Sequence, residues 1–117
     1  MEPGELLKRL VAARESWADS GRLRFKLRRP NEMELIRMRR GSTVEIGLDV
    51  IQKHVVGWEG VTEADIVTSG GSEPVAFDAT LYAEWIADRP EHWQPISEAL
   101  HAAIQAHAAE QGEDIKN

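Results

Sequence analysis

From Arg22 to Arg28 the chain alternates without a break: Leu23, Phe25 and Leu27 take one side, and Arg22, Arg24, Lys26 and Arg28 the other. A period of two belongs to extended backbone, so this segment is a strand with an apolar face for a core and a cationic face for solvent. The constraint on the fold is severe, because a strand leaves backbone donors and acceptors unpaired along both edges and something must meet them. The rest of the chain reads as helix and loop and offers few partners, which makes pairing with a second copy one solution. The expected fold class is mainly α, a small single-domain helical protein with a short N-terminal β-strand, with α+β as the alternative.

The helical expectation rests on spacing and on punctuation. Leu6, Leu7, Leu10, Val11 and Trp17 predict an amphipathic helix over residues 4–19, stopped by Gly21. After Pro30, Asn31 and Glu34 form a capping-box pair ahead of Met33, Leu35, Ile36 and Met38. Ser42 and Glu45 repeat that signal, and Val44, Leu48, Ile51, Val55 and Trp58 follow at steps of four and three, predicting one helix through residue 58. Gly57, Gly60, Gly70, Gly71 and Pro74 mark an irregular loop over about residues 57–76. Phe77-Asp78 then reads as a staple and N-cap for a helix carrying Leu81, Tyr82, Trp85 and Ile86, ended by Arg89-Pro90. A last helix runs to Gln111 with Trp93, Ile96, Leu100, Ala103, Ile104 and His107 inward. The domain is thus residues 1–111, with 112–117 as a flexible polar tail.

Charge divides the chain by position. Residues 1–40 hold 11 Lys and Arg against 6 Asp and Glu, a net of +5; residues 41–117 hold 3 against 14, a net of −11. Such asymmetry favours an interaction protein over a pocket enzyme, and admits head-to-tail self-association of basic and acidic parts. A hydrophobic content of 42% argues against wholesale disorder. With no cysteine there is neither a disulfide framework nor a thiolate metal site. No run approaches the roughly 18 apolar residues of a membrane span, and the N-terminus has no signal-peptide pattern, so a soluble intracellular protein is expected.

Catalytic signatures are not found. Glu98-Ala99-Leu100-His101 supplies one Glu-x-x-His, where a di-iron bundle requires two and further glutamates. His92, His101 and His107 do not have zinc-ligand spacing, and His54 reads as an exposed helix residue. Gly70-Gly71 lacks the Lys-Ser/Thr of a phosphate loop, and no serine lies in a nucleophile motif. The expectation is a non-enzyme with no catalytic residue, no cofactor, no metal and no small-molecule substrate. Partner-binding candidates are the cations Arg22, Arg24, Lys26 and Arg28 and the large rings Trp58, Trp85 and Trp93, whose alternative role is core anchoring. Eight basic residues between Arg22 and Arg40 make nucleic-acid binding the second reading, with aromatic interleaving thin.

Several short motifs resemble the tail assembly chaperones of long-tailed bacteriophages and prophages. They are Phe25-Lys26-Leu27-Arg28-Arg29-Pro30-Asn31-Glu32-Met33-Glu34, then Val55-Val56-Gly57-Trp58-Glu59-Gly60-Val61, Ala64-Asp65-Ile66, and Pro74-Val75-Ala76-Phe77-Asp78. The similarity covers about residues 22–105; Trp93 beside Pro95 departs from the pattern. It implies a small, mostly helical non-virion protein of the infected bacterial cytoplasm, which binds the tape measure protein and helps recruit tail tube subunits around it. A holdase of this kind needs exposed apolar contact surface and solubilising charge, and no catalytic site.

Overall fold

The computed structural model describes residues 1–116, with side chains as far as Gly112. In chain order the elements are α1 (Pro3–Ala12), β1 (Glu15–Ser20), β2 (Leu23–Arg28), α2 (Glu32–Met38), β3 (Arg39–Arg40) and β4 (Thr43–Val44). They continue as α3 (Leu48–His54), β5 (Val55–Glu59), α4 (Glu63–Ile66), α5 (Ala79–Ile86), a 3-10 turn at Pro90–His92, and α6 (Trp93–Lys116). The fold is mixed α+β, which corrects the mainly-α expectation.

The alternating segment is β2, and both its edges are met within the chain. It lies at the centre of an antiparallel sheet of order β1-β2-β5, with β3 and β4 as a separate small hairpin. The helix expected over residues 4–19 therefore ends at Ala12, and Trp17 lies on β1. Glu15 to Ser20 alternate large outward and small inward residues, and Gly21, at φ +61°, supplies the positive φ of a two-residue hairpin turn into β2. Ala18 and Ser20 are small enough to let a helix lie close on the inner face.

The helix expected over residues 44–58 divides into three pieces: β4, the short helix α3 and strand β5. Ser42 does not cap a helix; Gly41, at φ +64°, turns β3 into β4 instead. Spacing misleads here for a physical reason. Lys26 pairs with Gly57 and Leu27 with Val55, so Val56 is an extra residue in β5, a bulge. Val55 and Trp58 both reach the core across that bulge, at a separation of three that imitates a helix face.

Both capping expectations that flank the sheet hold. Asn31 Oδ1 accepts from Glu34 N–H at 2.9 Å, and Glu34 Oε1 from Asn31 N–H at 3.0 Å. Asp78 accepts from Leu81 N–H at 2.8 Å, with the Phe77 ring 5.6 Å from Tyr82 as the staple. The stretch between β5 and α5 is tied to itself: Glu63 N–H donates to Glu73, Ala64 N–H to Gly71 and Val75 N–H to Val61, each at 3.0 Å. A Cβ on Gly70 would sit 2.4 Å from the Glu63 carbonyl carbon, so the loop packs on α4 with no room for a side chain.

The helices cover one face of the sheet. Leu23, Phe25, Leu27, Val55 and Trp58 pack against Ile51 of α3, Tyr82, Trp85 and Ile86 of α5, and Ile96 and Leu100 of α6. The other face carries Trp17, Asp19, Arg24, Lys26 and Glu59. The backbone of α6 is helical to Lys116, into the expected tail; Asn117 and the side chains from residue 113 onward lie outside the described residues. No described helix is long and apolar enough to cross a membrane.

Candidate partner-binding surface

The cationic face of β2 is answered by the chain's own carboxylates. Register puts Glu15 opposite Arg28 and Asp19 opposite Arg24 on one side, and Glu59 opposite Arg24 on the other. Arg24 bonds Asp19 at 3.0 Å and Glu59 at 3.1 Å; Arg28 and Lys26 reach Glu15 at 3.1 and 3.5 Å. Arg22 pairs with Asp65 and donates to the Gly60 carbonyl at 3.1 Å. Burial pushes the Asp65 carboxyl up, but hydrogen bonds from Thr62 and Arg22 outweigh it and hold the group below its ordinary range. The outer sheet face is thus a ladder of paired charges, on which the Arg24 guanidinium lies 4.6 Å from the Trp17 ring centre.

The three candidate tryptophans point inward. Trp58 Nε1–H donates to Val75 O at 2.7 Å, Trp85 to Asp65 O at 2.9 Å and Trp93 to Ile86 O at 2.7 Å. Each indole therefore spends its polar atom on a loop or helix-end carbonyl, tying neighbouring segments to the core. Trp58 and Trp85 stand edge-on at 5.8 Å, within a cluster that includes Phe25, Phe77, Tyr82 and His92. Burial raises the Tyr82 phenol far above its ordinary value, and its O–H donates to Ile51 O at 2.9 Å.

Two histidines belong to this interior. His54, expected on the surface, is buried; its Nδ1 lies 3.1 Å from Arg28 O and its Nε2 3.8 Å from Glu34. His92 Nδ1 lies 2.6 Å from Ser20 Oγ, with the tilted rings of Phe25 and Trp85 centred 5.3 and 5.5 Å from its own. Burial lowers the pKa of both. Among the described residues no carboxylate is hydrogen-bonded to the other nitrogen of His92, and the contact closes a buried serine hydroxyl within the aromatic cluster. No group of three metal-ligating side chains occurs among the described residues.

The bare apolar surface lies elsewhere. No residue of α1 is buried, and Leu6, Leu7 and Leu10, spaced as one helical stripe, stand in solvent, Leu10 at 69% exposure. On α2 the inward residue is Leu35, while Met33 and Ile36 face out, Ile36 at 65%. Both helices leave the same end of the β1–β2 hairpin. Arg29 N–H donates to Arg14 O at 2.7 Å, Arg14 Nη1 donates back to Arg29 O at 3.0 Å, and Arg14 lies 3.7 Å from Glu34. Five large apolar side chains on two helices are thus rooted at one corner. The sequence carries the stripe of α1 plainly, but a stripe that packs on its own core and one that waits for a partner look alike in a sequence.

Comparison with protein-family models, with curated proteins and with solved structures finds no match to this chain.

Proposed function

We propose that this chain is a tail assembly chaperone, which holds the tape measure protein in the host cytoplasm, helps bring tail tube subunits to it and is absent from the finished virion. The observation that carries the reading is the unburied apolar stripe of α1, seconded by Met33 and Ile36 of α2. Exposed apolar surface of this extent on a small charged protein is interaction surface, and a stripe at helical spacing suits another helix, such as a long helical client presents. The motifs over residues 22–105 supply the class of client. Docking moves from Trp58, Trp85 and Trp93, whose rings complete the core, to the helices at the opposite end of the sequence. Nucleic-acid binding loses weight, because Arg22, Arg24, Lys26, Arg28 and Arg40 each face a carboxylate of their own chain.

Co-expression with the tape measure protein of the same phage tests the reading. The wild-type chain is expected to keep the tape measure soluble and to co-elute with it, and Leu7→Asp/Leu10→Asp to lose both effects. A tape measure equally insoluble with and without the chain overturns the proposal.

A further inference from the structure

The bare faces of α1 and α2 complement each other, yet α1 does not lie on its own α2. The first half of α1 is acidic, with Glu2 and Glu5, and the second basic, with Lys8 and Arg9. Helix α2 has the same order: Glu32 and Glu34 open it, and Arg37, Arg39 and Arg40 close or follow it. Laid antiparallel, Glu2 and Glu5 meet Arg37 while Lys8 and Arg9 meet Glu32, which also contacts His107 Nε2 of its own chain at 2.7 Å, with Leu6, Leu7 and Leu10 over Met33 and Ile36. On α2 the residues Met33, Ile36 and Arg37 recur at i, i+3 and i+4, one face. Within one chain this contact is not made: only Ala13 and Arg14 separate α1 from β1, and Arg14 is pinned to Arg29 by hydrogen bonds in both directions.

We propose that the chain pairs with a second copy by exchanging α1, each α1 lying antiparallel on the α2 of the other protomer. Exchange between two copies makes a contact that the short connection denies to one copy, the logic of a domain swap. Area favours exchange over a simple α1–α1 pairing. A ten-residue helix is about 15 Å long, and a single contact of that length is small against the roughly 1,200 Å² of a stable interface. Two-fold exchange makes the contact twice, and it covers Met33 and Ile36, which α1–α1 pairing leaves bare. Resting on the chaperone reading is one corollary: the exchanged α1 occupies the client's surface, so client binding opens the dimer.

Sedimentation equilibrium of the full chain without client, over a concentration series, is the test. A dimer is expected, converted to monomer by Leu7→Asp/Leu10→Asp and equally by Met33→Asp/Ile36→Asp, with circular dichroism showing the core intact in each. Glu5→Arg and Arg37→Glu are each expected to weaken pairing on the order of tenfold, and together to restore it. A wild-type monomer throughout overturns the proposal. So does a dimer broken by the α1 variant but not the α2 variant, which would place α1 against α1. Neither outcome bears on tape measure capture, which is measured separately.

Discussion

Trp58 and Trp17 show how differently one residue type is used on the two faces of one sheet. Trp58 is 9% exposed, touches Phe77, Tyr82 and Trp85, and holds the 73–77 segment through its bond to Val75. Trp17 is 37% exposed, lies opposite Lys26 and has the Arg24 guanidinium over its ring. Trp58→Ala is expected to cost about 3–5 kcal/mol through lost burial and the cavity left behind. Trp17→Ala is expected to cost about 1 kcal/mol or less, the range of an exposed cation–π contact. Urea unfolding followed by far-UV circular dichroism separates the two; equal losses would mean that the outer face is also a packed one.

At the scale of elements, α1 is the exception. The other long elements are held by tertiary contacts: α5 by Tyr82, Trp85 and Ile86, and α6 by Ile96, Leu100 and Ile104. Helix α1 buries nothing, and a ten-residue helix without packing is marginal in water. Its persistence therefore depends on what covers Leu6, Leu7 and Leu10. Hydrogen exchange is expected to show α1 amides exchanging far faster than those of β2 and α5 in dilute protein, and gaining protection when partner or client is added. Amides of α1 as protected as those of α5 at every dilution would mean that the helix is stable alone.

For the whole molecule, the principal extents are 56 × 39 × 22 Å and the radius of gyration is 16.0 Å, against about 13 Å for a compact domain of this length, in keeping with α1 standing off the core. Acid sensitivity is also a property of the whole, because buried His54 and half-buried His92 come from different segments of the fold. Burial holds His54 below the ordinary value of 6.5; Glu34 and the Arg28 carbonyl pull the other way, and Lys53 and Arg14 reinforce the lowering. Burial likewise lowers His92. A histidine with a depressed folded-state pKa binds its proton more readily when unfolded, so stability falls as pH drops below about 6.5 and levels once the folded-state pKa is passed. Glu34 and Asp65 have lowered pKa values and add a second loss at lower pH, as they protonate. The urea midpoint is expected to be lower at pH 5 than at pH 7.5, and His54→Gln to flatten the slope; a pH-independent midpoint would remove the burial argument.

Local chemistry was legible from the sequence wherever neighbours in the chain decide it. The alternation of β2, the cap and box at Asn31, the staple of Phe77 on Tyr82 and the stripe of α1 all depend on residues within one or two turns of each other. What lay beyond reach was pairing at a distance. That β2 has two strands of its own chain beside it depends on Gly21 turning the backbone and on the extra residue Val56, which gives Val55 and Trp58 the spacing of a helix. The destination of the tryptophans, the cations and His54 was equally a matter of tertiary structure. The sequence states that a side chain is apolar or charged, and only the fold decides whether its partner is the chain itself or another molecule.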